Sequence, residues 1–357
     1  MTTSWRMPAE TAPHERLWMA FPRPNETFGD GEEESAAWAE VANAAAAFES
    51  VTMLVDPVAR ATATRLLDGA IEVVETPLDD AWLRDSGPTF VLDEAGRLGA
   101  VDWVFNGWGG HDWAAWDRDA LVGAAVGAAA GAEVLPSLLV NEGGGIHVDG
   151  EGTVLLTETV QLDPRRNPWA DRARVEAELA RTIGATHAVW LPRGLTRDYG
   201  RYGTSGHVDI CATIPSPGRV LLHEQRDPAH PDHAVSAQLR RALEEAVDAA
   251  GRPFEIVPLP APGTLRDAEG FVDWSYVNHV VVNDGVVACS FGDARADAAA
   301  RDVLAEAYPG RRVVSVDARA IFACGGGIHC ITQQQPRTPP VEASATPGTV
   351  RSDPFRG

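Results

Sequence analysis

The chain has 357 residues, of which 45% are apolar, and its formal net charge is −21. This length and composition are typical of one large α/β domain, or two average domains, with a sizeable core. The negative charge argues against nucleic acid and anionic membranes as partners, because both attract basic patches. All thirty basic residues are arginine, so chemistry that needs lysine, such as a Schiff base or a P-loop, is excluded.

The N-terminus and the cysteines indicate the compartment. Residues 1–23 lack a basic start followed by an apolar run, and no stretch approaches the about 20 apolar residues that cross a bilayer. No two of the four cysteines have the C-x-x-C spacing; they stand at positions 211, 289, 324 and 330. We therefore expect a cytoplasmic protein with reduced thiols and no membrane attachment.

Helix-like and strand-like segments alternate to about residue 335. The helix candidates are 35–49, 57–67, 119–131, 168–183, 233–250 and 294–308. The strand candidates include 51–55, 71–74, 154–156, 220–222 and 280–290. In the fourth helix, Asn167 is expected to be the N-cap and Pro168 the first helical residue.

Two further features complete the domain prediction. Asp284-Gly285 divides the segment 280–290 and is a strong hairpin signal. After Gln335 the chain is rich in proline, serine and threonine. We predict one domain over residues 1–335 and a disordered C-terminal tail over residues 336–357.

Three short segments of the chain resemble one another: 143–149 (GGGIHVD), 206–209 (GHVD) and 325–330 (GGGIHC). Their histidines, His147, His207 and His329, are 60 and then 122 residues apart. One unit of about 61 residues earlier lies Ser86, and a weaker fifth match ends at His279. Chance similarity of glycine-rich turns is the alternative to a true repeat. Otherwise five units, each with a helix and several strands, would form a closed pseudo-symmetric ring.

In such a ring, equivalent positions face the central channel, where a small-molecule site is expected. The matched segments contain carboxylates, imidazoles and a thiol. The five side chains that would converge are Asp85, His147, His207, Asp209 and Cys330.

Cys330 follows a glycine-rich segment, which lets backbone amides approach a ligand closely. The thiolate is the reactive form, so a nucleophilic cysteine needs nearby positive charge, and a cationic substrate could provide it. On composition alone, a buried structural cysteine is the favoured interpretation.

His207 and Asp209 are two residues apart, so both would leave the same face if this segment is a strand. Imidazole can move protons near neutral pH, and the carboxylate can bind a cation. A metal site is the alternative, but the chain lacks His-x-x-x-His spacing and a cysteine cluster. Glu142 and Asp85 also lie in the matched segments, where each could be an ordinary turn acid or helix cap.

The sequence also resembles a known family, the agmatine deiminases, from residue 7 to Pro336. The matching stretches are 13–15 (PHE), 82–89 (WLRDSGPT), 106–110 (NGWGG), 142–152 (EGGGIHVDGEG), 166–168 (RNP), 206–209 (GHVD), 290–293 (SFGD) and 325–336 (GGGIHCITQQQP). The resemblance implies a single-domain α/β propeller with five blades, in agreement with the repeat.

The resemblance also implies the roles of the catalytic residues. Cys330 matches the nucleophile, His207 the general acid and base, and Glu142 the acid that orients the histidine. The implied reaction passes through a covalent thiouronium and requires neither a metal nor a cofactor.

Substrate binding is implied for three more residues. Asp85 and Asp209 match the carboxylates that hold the guanidinium, and Trp82 lies in the same substrate-binding stretch. The implied substrate is agmatine, a small cationic guanidine, and the product is N-carbamoylputrescine with ammonia. A homodimer is compatible with such enzymes.

The chain departs from the family pattern in the part of the pocket that would recognise the end of the substrate opposite the guanidinium. The four departures are His111, Ser205, Ile210 and His279. The alternatives are therefore a deiminase or amidinotransferase that acts on another guanidino compound, such as peptidyl arginine or a biosynthetic intermediate. A non-catalytic guanidine-binding protein is a further alternative, although binding alone would need only the two aspartates.

Overall fold

Strands and mostly short helices alternate through the computed structural model, which describes residues 4–339. The strands are β1 (Trp5–Arg6), β2 (His14–Ala20), β3 (Val51–Val55), β4 (Glu72–Glu75), β5 (Thr89–Asp93), β6 (Leu98–Val104), β7 (Glu133–Val140), β8 (Ile146–Val148), β9 (Thr153–Thr157), β10 (His187–Leu191), β11 (Ala212–Ser216), β12 (Arg219–Glu224), β13 (Glu255–Pro260), β14 (Val280–Val282), β15 (Gly285–Ser290), β16 (Arg312–Asp317) and β17 (Thr332–Pro336). The helices are α1 (Glu32–Ala46), α2 (Arg60–Leu66), α3 (Leu83–Ser86), α4 (Gly107–Gly110), α5 (Val122–Ala129), α6 (Glu158–Gln161), α7 (Arg172–Ile183), α8 (Asp232–Glu244), α9 (Ala294–Ala307) and α10 (Arg319–Ala323).

Within residues 4–339 the strands form five separate sheets. Their strand orders are β1-β5-β6-β7, β10-β9-β8, β11-β12-β13, β14-β15-β16 and β17-β2-β3-β4. In each sheet the same pattern recurs: an antiparallel pair, then a parallel neighbour reached through a helical connection. The prediction of five repeated α/β units is therefore confirmed.

The last described strand closes the ring against the first long strand. β17 pairs antiparallel with β2, so that Thr332 lies opposite Met19 and Gln335 opposite Arg16. The indole Nε1 of Trp18 also donates to Gln335 Oε1 at 2.9 Å. This sheet therefore combines strands from both ends of the described chain.

The core lies between the sheets and the longer helices outside them. All five residues of β3 are buried, because a parallel strand covered on both faces has no polar side. Helix α7 is amphipathic instead and buries Val175, Leu179 and Ile183 at helical spacing. Burying each such side chain contributes on the order of 1.5–3 kcal/mol before entropy is subtracted.

The start of α7 corrects one prediction. The helix begins at Arg172, because the Asp171 carboxylate caps it by accepting from Arg174 N at 2.9 Å. Asn167 instead uses its amide to bind the backbone of Val140, accepting at 3.0 Å and donating at 2.9 Å. The prediction of Asn167 as the N-cap is therefore wrong, because its side chain binds the backbone of β7 instead.

Other predicted boundaries move by a few residues. The segments 57–67 and 119–131 each begin with one 3-10 turn and continue as α2 and α5. The hairpin predicted at Asp284-Gly285 is confirmed as β14 and β15. Pro336 is the last residue of β17, and Arg337 N donates to Pro13 O at 2.8 Å. The rest of the predicted tail, residues 340–357, lies outside the described residues.

Candidate active site

The repeat-equivalent segments bring the predicted site residues together at the centre of the ring. Asp85 lies in α3, and Glu142 immediately precedes the turn Gly143–Gly145. His207 immediately precedes the turn Val208–Ile210, which contains Asp209. Cys330 precedes β17. None of these side chains is more than 6% exposed, so their charges act on one another with little screening by water.

His207 lies between two carboxylates. Its Nε2 is 3.4 Å from Glu142 Oε2, and its Nδ1 is 3.8 Å from Asp85 Oδ1. Burial alone would lower the pKa of His207, but Asp85 and Glu142 outweigh burial and raise it to about 9. At neutral pH the ring is therefore an imidazolium.

Glu142 is held as a carboxylate by Arg166, which the sequence analysis did not identify. Arg166 Nε donates to both Glu142 oxygens, at 2.9 and 3.1 Å, and both side chains are fully buried. Burial would raise the pKa of Glu142, but Arg166 and His207 outweigh it and hold it at about 2. Arg166 lies in the matching stretch 166–168, but the resemblance implied no role for it.

Asp85 accepts two hydrogen bonds from neutral donors. Trp108 Nε1 donates to Oδ2 at 2.9 Å, and Gly144 N donates to Oδ1 at 3.1 Å. Burial raises the pKa of Asp85 to about 6, with His207 opposing that rise. Trp108 has φ 56°, and it and Ser205 are the two non-glycine residues with positive φ between residues 4 and 339. Such a backbone costs on the order of 1 kcal/mol, and at Trp108 it accompanies the indole bond to the Asp85 carboxylate.

Asp209 and Cys330 lie on the other side of the site. Asp209 Oδ2 is 3.5 Å from Cys330 Sγ and accepts from His329 Nδ1 at 2.8 Å. Asn278 Nδ2 donates to the same sulfur at 3.3 Å. Burial would raise the pKa of Asp209, but His329 lowers it overall. Burial, Asp209 and Asp85 raise the pKa of the Cys330 thiol, which is therefore protonated in the unliganded site.

Two glycines form walls of the site. A Cβ on Gly144 would lie 2.6 Å from His207 Nδ1 and 3.0 Å from an oxygen of each aspartate. A Cβ on Gly326 would lie 3.1 Å from Cys330 Sγ and 2.7 Å from Cζ3 of Trp82. Trp82 thus lies against the same glycine as the sulfur. The hydrogen atoms of glycine leave the space between thiol, imidazole and carboxylates open.

Two buried polar atoms in this space have no hydrogen-bond partner among residues 4–339. They are Asp209 Oδ1 and His207 Nδ1. Buried polar groups are normally satisfied, so unpaired ones at a site indicate where a ligand would bind.

Two expectations about the histidines need correction. Val208–Ile210 is a 3-10 turn rather than a strand, so His207 and Asp209 reach the site through a turn. His147 does not lie among these groups: its Nε2 is 2.9 Å from Thr213 Oγ1 and its Nδ1 is 3.6 Å from Glu10 Oε1. Because His147 lies in β8, its ring is in a neighbouring buried cluster with Thr213 and Glu10.

The remaining three cysteines are buried, unpaired thiols. Cys211 Sγ donates to His207 O at 3.5 Å, and Cys289 Sγ donates to Asn278 O at 3.1 Å. Burial raises the pKa of Cys211 well above its usual range and that of Cys289 to about 12. Cys211 and Cys289 therefore donate to the backbone of site residues and not to their side chains.

A ring of five α/β units with a thiol, an imidazole and paired carboxylates at its centre defines the class of enzymes that modify guanidino groups. The chain belongs to the Porphyromonas-type peptidyl-arginine deiminase family, whose sequence profile matches residues 6–336. This membership confirms the fold prediction and the enzyme class, a hydrolase that acts on amidine C–N bonds.

Several relatives have the name of the family that the motifs resembled. A Streptomyces coelicolor protein provisionally named agmatine deiminase is 58% identical, over 94% of this chain and 100% of its own. The agmatine deiminase of Pseudomonas aeruginosa strain LESB58 is 41% identical, over 93% and 95%. The solved agmatine deiminase of Enterococcus faecalis superposes with a TM-score of 0.87 at 31% identity, covering 94% of this chain and 96% of that one.

No helix within residues 4–339 is long and apolar enough to span a membrane.

Proposed function

We propose that this chain deiminates agmatine to N-carbamoylputrescine and ammonia, with Cys330 as the nucleophile. The observation that carries the proposal is the convergence of a thiol, an imidazolium and two carboxylates. Cys330 Sγ is 3.5 Å from Asp209 Oδ2, and His207 Nδ1 is 3.8 Å from Asp85 Oδ1. The relatives named agmatine deiminase support the choice of substrate.

The two aspartates would hold the flat guanidinium through paired, charge-assisted hydrogen bonds. Asp209 contributes its unpaired Oδ1. Asp85 already accepts from Trp108 and Gly144, which fix the direction of its carboxylate. Trp82 lies beside Gly326 and would pack against the substrate next to the sulfur.

Substrate binding would activate the thiol. The two aspartates raise the pKa of Cys330 in the free enzyme. A bound guanidinium neutralises both carboxylates, so the thiol pKa falls and its proton leaves as the substrate enters. A reactive thiolate then forms only when its target is present.

The reaction would proceed in two covalent steps. The Cys330 thiolate attacks the central guanidinium carbon, His207 Nδ1 gives its proton to the departing nitrogen, and ammonia leaves behind a thiouronium. Neutral His207 then takes a proton from water as that water adds to the same carbon. The carbon–sulfur bond breaks, the thiolate is restored, and the protonated urea loses its proton.

Glu142 would orient His207 throughout this cycle. Its carboxylate lies 3.4 Å from Nε2, and Arg166 keeps it ionised. With Nε2 bound to Glu142, Nδ1 remains the nitrogen that faces the reacting groups. Glu142 therefore acts as a positioning residue in this proposal.

The burial of the site favours a small substrate over an arginine within a protein. Cys330 is 6% exposed, Trp82 5% and Asp85 4%, so a peptide backbone could approach only after the surrounding loops open. Agmatine has no peptide backbone, so only a short alkyl amine chain would have to enter with its guanidinium.

We also propose a cytoplasmic location, because a catalytic thiol and three further unpaired cysteines fit a reducing compartment. A homodimer remains part of the proposal, on the basis of the resemblance alone.

A panel of guanidino compounds tests the function directly. Purified protein is given agmatine, free arginine, an arginyl peptide and a guanidino acid with an amine acceptor, and ammonia release and products are measured. Ammonia and N-carbamoylputrescine from agmatine are the expected result. Transfer of the amidino group to the acceptor, or binding without ammonia release, would contradict the proposal.

A further inference from the structure

His329, the residue before Cys330, is enclosed between two carboxylates. Its Nδ1 is 2.8 Å from Asp209 Oδ2, and its Nε2 is 2.8 Å from Glu10 Oε1. The ring is 3% exposed. An ionised carboxylate can only accept hydrogen bonds, so both ring nitrogens must carry hydrogen. With both carboxylates ionised, the ring is therefore an imidazolium.

The other groups around this ring agree with that charge state. Burial and Arg84 lower the pKa of His329, but Glu10 and Asp209 outweigh them and raise it. Burial is also the largest influence on Glu10 and would raise its pKa, but His329, His147 and Arg84 lower it well below its usual range.

Two further imidazoles face the cluster, and both are neutral. Burial lowers the pKa of His147, and it lowers that of His279 to about 4. His279 Nε2 is engaged with Tyr308 Oη at 2.8 Å. His329 is therefore the charged imidazole of this group.

Glu10, His147 and His329 also resemble a metal-ligand set, since one ligand atom from each lies within 4.8 Å of the others. However, Arg84 Nη1 is 3.6 Å from Glu10 Oε1, the same oxygen that contacts His329. A guanidinium so close would repel a divalent cation. The short contact between Glu10 and His329 is better explained by a shared proton.

This arrangement fixes the direction of the Asp209 carboxylate, whose Oδ2 also lies 3.5 Å from Cys330 Sγ. Oδ2 is engaged by His329, whereas Oδ1 has no partner among the described residues. The backbone N of His329 also donates to Asn278 Oδ1 at 2.9 Å, and Asn278 Nδ2 donates to Cys330 Sγ at 3.3 Å. The orientation of His329 is thus linked to the carboxylate and to the nucleophile.

We infer that Glu10 and His329 are positioning residues for the reaction: Glu10 holds His329 as an imidazolium, and His329 holds the Asp209 carboxylate ionised and fixed in direction beside Cys330. This inference rests on the proposed function of Asp209. It assigns a catalytic consequence to Glu10, which comes from the N-terminal segment 319 residues away from His329.

Glu10→Gln and His329→Asn test the inference by kinetics. Glu10→Gln retains the shape but removes the charge that stabilises the imidazolium. We expect KM for agmatine to rise about tenfold, with a smaller change in kcat, since a charge-assisted hydrogen bond in the bound state weakens. The acid limb of kcat/KM should gain a contribution from Asp209, in addition to that of Asp85, because Asp209 loses the cation that lowers its pKa. His329→Asn places an amide near Nδ1 and should retain more activity than His329→Ala.

Glu49→Gln is the matched control. Glu49 Oε1 forms a similar buried pair with His14 Nδ1 at 3.1 Å, and His14 Nε2 contacts the backbone oxygen of Glu10 at 3.0 Å, so this pair adjoins Glu10 without involving its carboxylate. It should lower the melting temperature by a similar amount without changing KM or the pH profile. If Glu10→Gln behaves like Glu49→Gln, or if His329→Asn is no better than His329→Ala, the inference is wrong.

A second measurement does not depend on the substrate. Nitrogen-15 spectra of the histidines in unliganded protein, assigned with His329→Asn, should show a doubly protonated His329 ring at pH 8. That signal should be lost in Glu10→Gln. A neutral His329 at pH 8 in the unmodified protein would overturn the inference even if agmatine is turned over. Failure to release ammonia from agmatine, with the imidazolium present, would instead contradict only the proposed function.

Discussion

The two carboxylates that face Cys330 are chemically identical but have different surroundings. Asp85 accepts from an indole and a backbone amide, both neutral, whereas Asp209 accepts from the ring of His329. Burial raises the pKa of Asp85 to about 6, although His207 opposes it. At Asp209 the same burial is outweighed by His329, and the pKa is lowered.

This difference shows how one site can keep two acids close together. Two ionised carboxylates near a thiol would repel each other and oppose a thiolate. Because Asp209 has its own cation, it stays ionised, and Asp85 is left as the carboxyl that responds to pH and to the substrate. The comparison leads to four predictions.

The largest effect is expected from removing the group that both carboxylates face. Cys330→Ala should lower kcat by at least about ten-thousandfold, because no other group can form the covalent intermediate. Agmatine should still bind, since both aspartates remain, and calorimetry would measure this. Cys211→Ala, Cys289→Ala and Cys324→Ala serve as controls and should stay active. Substantial ammonia release by Cys330→Ala would contradict the mechanism.

A methyl group placed between His207 and the two aspartates should reduce activity almost as much. Gly144→Ala would put a Cβ 2.6 Å from His207 Nδ1 and 3.0 Å from an oxygen of each aspartate. Since small misplacements of reacting groups are costly, kcat/KM should fall at least about a hundredfold. Gly69→Ala is the control, because no atom lies within 4 Å of its added Cβ. Unchanged kinetics in Gly144→Ala would show that the site opens widely.

The substrate tail is expected to matter on the scale of about a hundredfold. Agmatine should exceed free arginine by at least this factor in kcat/KM, or roughly 2.7 kcal/mol, because arginine adds a carboxylate to an acidic site. The neighbouring arginines are engaged elsewhere: Arg166 with Glu142, and Arg84 with Gln333 and Gln334. Competing-substrate kinetics measure the ratio. Equal turnover of arginine or an arginyl peptide would reject agmatine as the specific substrate.

The smallest effect concerns Asp85 alone. Its carboxylate must be ionised to bind a guanidinium, so kcat/KM should rise with pH through about 6, where Asp85 loses its proton. Trp108→Phe removes a donor that favours the ionised form and should shift this limb to higher pH, with a loss of a few fold near pH 7. Trp103→Phe, whose indole donates to Thr89 Oγ1 at 2.9 Å, is the control. If the acid limb of kcat/KM does not move in Trp108→Phe, that limb belongs to a group other than Asp85.

Much of the site could be predicted because the repeat places its residues in equivalent turns. Asp85, Glu142, His207, Asp209 and Cys330 all lie in or beside the matched segments, and the structure brings all five together. Their partners were missed for a physical reason. Arg166 and Trp108 lie in stretches that match the family, and Glu10 lies near the N-terminus, but all three are outside the repeat. The repeat therefore does not reveal which distant side chain each of them will contact.

The sequence by itself determined the five-unit plan and the types of chemical group at its centre, because periodic segments and glycine-rich turns are local features. It did not determine which atoms are charged. The thiol of Cys330, the carboxyl of Asp85 and the ring of His329 take their protonation states from burial and from charges a few ångströms away. Those distances exist only after the ring closes through β17 and β2, since electrostatic interactions depend on separation in space and on exclusion of water.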